Sequence, residues 1–331
     1  MDDPENYPGS LGRVKITVLC GGVGGSRFLS GVRGAYPDAE ITAIVNVGDD
    51  MWHVGVRIAP DLDTIMYTLA GQNDTERGWG RVGESERVAG ELRAYGVGWP
   101  WFTLGDLDLG THLARTRYLR EGMPLSSVVP LLTSRWNLGV TLLPATDSEV
   151  ETHVRVEGGT MHFQEWWTRH RAALPALAFD FVGVDSAVPA PGVVDAISSA
   201  DVVLLAPSNP VVSIGPILAI PGIRDAVRST AAPVVGVSPI IAGAVVRGMA
   251  DACLTAIGVE TSAASVGLHH GSRSASGLLD GWLVDDTDAA AVPALESAGI
   301  AARAVPLWLR DPETSAQLAR DAVELALALS P

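Results

Sequence analysis

The first sustained apolar pattern is a β-branched run from Arg13 to Cys20, which stops at Gly21-Gly22-Val23-Gly24-Gly25-Ser26. Beyond the glycines, Phe28, Leu29, Val32 and Ala35 recur at helical spacing, with Ser26 as the expected N-cap and Pro37 just past the end. Ile41 to Val45 follows as a buried strand, and Asp63 to Leu69 begins another helix. From residue 70 the texture turns polar, then helical periods return at Leu113 to Glu121 and Ser126 to Trp136, so 70–138 is expected to be a mainly helical insertion covering a site. Apolar runs resume at 139–143, 151–156, 201–206, 232–241 and 281–285. Strands alternating with helices predict an α/β protein: a Rossmann-like, doubly wound parallel sheet formed by 13–70 and 139–331, with 1–12 a disordered lead-in.

Two features at the ends of the first strands suggest chemistry. A glycine loop leading into a helix lets backbone N–H groups approach an anion, and the helix N-terminus favours negative charge. The loop lacks the Gly-Lys-Ser/Thr ending of a P-loop, and Arg27 occupies the third glycine position of a dinucleotide fingerprint. The second strand ends in Asn46 rather than in the acid that grips an NAD ribose, which disfavours an oxidoreductase. Instead Asp49, Asp50, Asp61 and Asp63 cluster after it, in Asn46-Val47-Gly48-Asp49-Asp50 and Pro60-Asp61-Leu62-Asp63-Thr64. These are either ordinary Asp turns or a group of hard oxygen ligands, and the glycine loop beside them favours a phosphate cradle facing a metal.

Composition narrows the chemistry further. Lys15 is the only lysine, which removes Schiff-base catalysis and a P-loop or kinase lysine, leaving amides, arginines and a divalent metal to meet phosphate charge. A net charge of −15 disfavours nucleic acid as a partner. Cys20 and Cys253 stand in apolar surroundings and read as small buried hydrophobes, which fits a reducing cytoplasm. No apolar run reaches the ~18 to 20 residues of a membrane span, and the acidic start Met1-Asp2-Asp3 lacks the pattern of a secretory signal.

Three further loops carry polar candidates. Pro207-Ser208-Asn209-Pro210 follows a buried strand and is either a second oxygen-binding loop or a proline-shaped turn. Gly105-Asp106-Leu107-Asp108 with Thr111 and His112 is either ligand-binding or a helix start capped by Asp108 or Thr111. His269-His270 has no carboxylate or cysteine at ligand spacing and reads as a polar loop.

In chain order, the glycine loop 21–26, the two aspartate motifs, Arg77-Gly78-Trp79-Gly80, Leu104-Gly105-Asp106, Thr111-His112, Pro207–Pro210, Ser213-Ile214-Gly215-Pro216 and Ser238-Pro239-Ile240-Ile241 resemble the 2-phospho-L-lactate transferase family. Its actinobacterial branch is the phosphoenolpyruvate transferase of coenzyme F-420 biosynthesis. The resemblance covers nearly the whole chain. It implies Mg²⁺-dependent transfer of a C3-acid phosphoryl group from a guanosine-diphosphate-linked donor to the ribityl hydroxyl of the deazaflavin Fo, with GMP released, in a cytoplasmic homodimer. It further implies Asp49 and Asp61 as metal ligands, Asp50 as a supporting or alternative one, and Asp63 facing the Fo hydroxyl. Gly21, Gly22, Gly24, Gly25, Ser26, Asn46, Ser208 and Asn209 would hold the nucleotide and phosphates. Thr103, Gly105, Asp106 and Asp108 would lie at the deazaflavin, with Trp99, Trp101 and Phe102 as either its wall or core. Leu107 stands where the family carries a basic residue, and Ala242-Gly243-Ala244-Val245 where it carries a Gly-Lys-Pro-like stretch. Arg115, Arg117 and Arg247 are the expected substitutes for that charge. The rival reading is a non-catalytic regulator of the same fold that binds a nucleotide or nucleotide sugar.

Overall fold

Strands that are apolar on both faces must be covered on both, and this requirement sets the architecture. The computed structural model describes residues 13–330; the expected lead-in at 1–12 lies outside the described residues. The chain runs through β1 (Lys15–Cys20), α1 (Gly22–Ala35) and β2 (Glu40–Val45), then a hairpin of β3 (Met51–His53) and β4 (Val56–Ile58), and α2 (Pro60–Leu69). Residues 70–138 contribute α3 (Arg87–Ala94), α4 (Asp106–Arg120) and α5 (Leu125–Thr133). After β5 (Thr141–Pro144), β6 (Glu151–Val156), β7 (Gly159–His162) and β8 (Ala176–Val182) form a separate antiparallel sheet. Alternation then resumes with α6 (Val193–Ser198), β9 (Val202–Leu205), α7 (Ile214–Ala219), α8 (Ile223–Ser229) and β10 (Val234–Val237). A small hairpin, β11 (Ile240–Ile241) and β12 (Ala244–Val245), leads to α9 (Ala250–Ala256) and α10 (Ala263–His270). The chain closes with β13 (Gly281–Val284), α11 (Val292–Ser297), β14 (Ala301–Ala304) and α12 (Pro312–Ala328).

The main sheet has seven strands in the order β14-β13-β10-β9-β1-β2-β5, all parallel. Every residue of β9, β10 and β13 is buried, as expected of strands covered on both faces. Strand order reverses between β1 and β9, which places a topological switch point, where α/β proteins bind ligands, at the carboxyl edge of the sheet. The Rossmann-like fold expected from the alternation is the one observed.

Four local expectations are corrected. The run 151–156 is no part of the parallel sheet: β6 alternates buried with partly or fully exposed positions, the pattern of an antiparallel strand with one wet face. Helix α1 begins five residues early, with Gly21 as N-cap; Ser26 lies inside it, buried, donating its hydroxyl to the Val23 carbonyl at 2.9 Å. Gly22 takes φ +62°, a left-handed conformation suited to glycine. Helix α4 begins at Asp106 with Gly105 as N-cap, so neither Asp108 nor Thr111 caps it. His269 and His270 end helix α10 rather than forming a loop, and burial pushes the His270 imidazole down to about 3.

A second, smaller apolar cluster lies beside the main core. Met51, Val56, Ile58 and Leu104 form it, with Trp99, Phe102 and Leu109 packed on its edge, so the β3–β4 hairpin and the start of α4 share one core. Cys20 and Cys253 are free and buried. Among the described residues no helix is long and apolar enough to cross a membrane.

Candidate active site

The glycine loop and the loop after β9 meet at the strand-order reversal. Ser208 Oγ donates to the Gly21 carbonyl at 2.8 Å and accepts the Gly21 N–H at 3.1 Å. Contact this close depends on missing side chains: a Cβ on Gly24 would lie 2.6 Å from the Pro207 carbonyl oxygen, and one on Gly25 2.7 Å from Ser208 Oγ. A Cβ on Gly21 would overlap an Asp61 oxygen. These three glycines therefore let protein groups meet. Ser26 is turned inward, and Asn209 Oδ1 closes a local turn by accepting the Val211 and Val212 N–H groups at 2.9 and 3.3 Å. Because Gly21 has no side chain to cap α1, the first-turn amides of that helix beyond Gly22, whose N–H serves Asp61, remain the groups placed to receive an anion.

Asn46 organises the carboxylates facing that helix end. Its amide nitrogen lies 2.9 Å from Asp61 Oδ2, 3.2 Å from Asp49 Oδ1 and 3.2 Å from the Val212 carbonyl, while its oxygen accepts the Gly48 N–H at 2.8 Å. Gln164, from the antiparallel sheet region, donates to the other oxygen of Asp49 at 3.2 Å. Burial raises the proton affinity of every one of these acids. Asp49 is pushed well above the carboxylate range by burial and by its neighbours Asp61 and Asp50. Asp61 is raised to about 6 by burial, with Asn46 and the Gly22 amide holding it down. Asp50 is raised to about 8 by burial, against the pull of Arg57 and Arg115.

Asp50 is fully buried, and neither of its oxygens has a hydrogen-bond donor; Arg57 Nη2 stands 3.9 Å away. It lines a pocket of about 230 Å³ together with Trp52, Arg57, Arg120 and Glu149. Crowded, dry carboxylates of raised proton affinity are poised to take up protons or a hard cation.

Asp63 faces a different set. Arg115 Nη2 pairs with its Oδ1, and His112 Nδ1 lies 3.5 Å from its Oδ2. His112 Nε2 is 3.3 Å from Asp108 Oδ2, and the Tyr67 hydroxyl donates to Asp108 Oδ1 at 2.7 Å. Burial raises the Asp63 carboxyl, and Arg115 and His112 offset part of that. Asp63, Asp108 and His112 each bring a ligand-type atom within 4.8 Å of the others. Each carboxylate nevertheless lies nearest its own nitrogen of the His112 ring, and Arg115 already neutralises Asp63.

The remaining residues named from the sequence are scattered. Asp106 accepts the Ser85 hydroxyl at 2.5 Å and the Arg87 and Val88 N–H groups at 3.3 and 3.1 Å, closing the start of α3. Glu84 does the same for α4 through the Leu107 and Asp108 N–H groups at 2.7 and 2.9 Å, which is why Gly105 has no room for a Cβ. Leu107 points to solvent, and Thr103 is half-buried. Trp99 stacks on Trp101 at 4.7 Å between ring centres and tilts against His53, with Phe102 edge-on to all three. Of the arginines expected to replace missing charge, Arg115 is committed to Asp63, exposed Arg117 pairs with Glu121, and Arg247 donates to the Gly78 carbonyl at 3.4 Å. Gln164, Tyr67, Glu84 and Arg57 were not named from the sequence; each acts on a partner at least 23 positions away except for Arg57's approach to Asp50.

Fold and site together define a Rossmann-ordered α/β protein whose switch point gathers several carboxylates in place of one ribose-gripping acid. The chain belongs to the 2-phospho-L-lactate transferase family: the model described as 2-phospho-L-lactate transferase CofD matches residues 16–307. It is 58% identical over 319 residues to the phosphoenolpyruvate transferase of Nocardia farcinica, covering 94% of this chain and 95% of that one. With the phosphoenolpyruvate transferase of Mycolicibacterium smegmatis it shares 55% over 328 residues, 95% and 99% of the two chains. With that of Streptomyces coelicolor it shares 55% over 317 residues, 95% and 98%. Among solved structures, a Bacillus halodurans protein of the upf0052 family superposes with a TM-score of 0.63 at 18% identity, over 94% of this chain and 100% of that one, a likeness of fold.

Proposed function

We propose that this protein is a phosphoenolpyruvate transferase acting on a deazaflavin acceptor. The acceptor's ribityl hydroxyl oxygen attacks the phosphorus that carries the enolpyruvyl group in a guanosine-diphosphate-linked donor. A new phosphorus–oxygen bond forms, the bond to the GMP phosphate oxygen breaks, and GMP departs with the electron pair. The hydroxyl proton passes to Asp63 or to solvent.

The observation that carries this reading is the convergence of Asp49 and Asp61 on Asn46, opposite the uncapped N-terminus of α1. Backbone amides there would receive the donor's phosphates, and Asn46 and Gln164 keep the two carboxylates aimed together. The unpartnered oxygens of Asp50 and the raised proton affinity of Asp49 and Asp61 fit a hard divalent cation, which Asp49 and Asp61 would hold with Asp50 in support. Mg²⁺ bound there would supply Lewis-acid stabilisation of phosphoryl and leaving-group charge. Asp63 stands apart from this cluster, and its Oδ2, which accepts no hydrogen bond and has only His112 Nδ1 near it at 3.5 Å, would orient the attacking hydroxyl. Identity of 55 to 58% over nearly the whole chain to proteins named phosphoenolpyruvate transferase supports the enolpyruvyl donor over the lactyl one.

The test is to incubate the purified protein with Mg²⁺, Fo and each guanylylated donor in turn, following GMP release and the mass of the deazaflavin product. Turnover with the enolpyruvyl donor is expected. Tight nucleotide binding without product from any donor would instead establish the non-catalytic regulator. Asp61→Asn is expected to lose turnover on the order of 100-fold or more while keeping GDP affinity.

A further inference from the structure

Helix α4 is patterned inside out. Asp108, Thr111, His112, Arg115 and Thr116 share its buried face, while Leu107 and Leu113 face solvent at 42% and 54% exposure. Polar groups in a dry interface must find partners, and here they find them on α2 and β4. The Tyr67 hydroxyl donates to Asp108, Thr116 Oγ1 accepts the Arg57 N–H at 2.8 Å, and Arg115 Nη1 donates to the Arg57 carbonyl at 3.2 Å. The guanidinium of Arg115 is thus tied to a strand backbone by one nitrogen and to Asp63 Oδ1 by another. A buried ion pair is a poor device for stability, since apolar side chains of similar volume usually do as well. Its geometric effect is specific. Asp63 Oδ1 is taken, whereas Asp63 Oδ2, equally buried, has no hydrogen-bond donor.

We infer that Arg115, whose Nη1 also lies 3.2 Å from the His112 Nδ1 that Asp108 holds from the other side of the ring, is a positioning residue for Asp63, holding Oδ1 so that Oδ2 is the oxygen presented to the acceptor hydroxyl. The inference rests on the transferase reading above and adds the residues that set its acceptor geometry. Because Arg115 acts through Asp63, its removal matters only while Asp63 is present.

The experiment is a double-mutant cycle on kcat, with KM for deazaflavin and for donor followed separately, using Asp63→Asn, Arg115→Met and the two combined. Arg115→Met alone is expected to lower kcat on the order of 100-fold with donor KM nearly unchanged. The double variant is expected to be no slower than Asp63→Asn alone, and its melting temperature to exceed that of Arg115→Met, which leaves a buried carboxylate unpaired. Should Arg115→Met fail to fold, Arg115→Lys carries the same cycle: it should slow the enzyme when Asp63 is present and have no effect on Asp63→Asn. Multiplicative losses, or a lower melting temperature with kcat intact, would overturn the inference and leave the transferase reading standing. Absence of turnover in the unmodified protein would overturn both.

Discussion

Replacing Asn46 with aspartate changes one atom and reverses the electrostatics of the carboxylate cluster. The wild-type amide donates between Asp61 Oδ2 at 2.9 Å and Asp49 Oδ1 at 3.2 Å, and the substituted carboxylate would put an acceptor there. At roughly 3 Å and an effective dielectric constant of about 20, two like charges repel by about 5 kcal/mol, so one of the three carboxyls must keep a proton. The penalty therefore depends on pH. Between about pH 5 and pH 8 the extra proton becomes harder to hold, and the variant should lose several kcal/mol relative to wild type at the upper end but only about 1 to 2 kcal/mol at the lower. Asn46→Ala strands the buried Gly48 N–H and Val212 carbonyl, which should cost about 3 to 5 kcal/mol already at pH 5, and it adds a smaller loss at pH 8 because Asp61 and Asp49 no longer have the amide that holds them down. Urea unfolding of wild type and both variants at pH 5 and pH 8, in chelator, measures all of this. Adding Mg²⁺ at pH 8 should restore part of the stability of Asn46→Asp and little of that of Asn46→Ala. An Asn46→Asp variant within about 1 kcal/mol of wild type at pH 8 would refute the electrostatic crowding of Asp49 and Asp61.

Wild-type stability in chelator should itself fall as pH rises. Burial raises Asp61 to about 6 and Asp50 to about 8, so across that range the folded chain holds protons that the unfolded chain has released near pH 4, and each such difference favours unfolding as pH increases. Thermal melts from pH 7 to pH 8, above the range in which the depressed His270 imidazole acts with the opposite sign, read the trend; a rising melting temperature there would contradict it. Gly24→Ala sets a methyl against the Pro207 carbonyl oxygen and should cost more than about 2 kcal/mol, on the order of an overpacked core. In the same helix, Gly34→Ala meets nothing within 4 Å and should stabilise by a few tenths to about 1 kcal/mol; equal effects in denaturant titrations would refute the packing role of Gly24. Asp106→Ala should lower the melting temperature by releasing the start of α3 and leave deazaflavin binding, followed by fluorescence, unchanged; a large loss of binding would return Asp106 to the acceptor site.

Local order was readable in the chain because its causes are local. Apolar runs closed by Gly21, Asn46 and Pro207 mark β1, β2 and β9, and a glycine loop followed by aspartates marks the carboxyl edge where parallel strands present ligands. The positions of Asp49, Asp61 and Asp63, and the approach of Ser208 to Gly21, follow from that order. The inside-out face of α4 was not readable, since a helix stripe of Asp, Thr, His and Arg looks the same whether it meets water or a buried partner. Only the fold brings Arg115 to Asp63 across 52 positions and Gln164 to Asp49 across 115. For the same reason Asp106, which the sequence cannot tell from a ligand contact, proves to cap α3, and Glu84 caps α4. By itself, then, the sequence determined the strands, their carboxyl-edge loops and the carboxylates those loops carry, because these depend on neighbours within a few residues. The tertiary structure alone decided which of those carboxylates are paired, which stand free and which helix steadies them, because burial and partnership are properties of segments far apart in the chain.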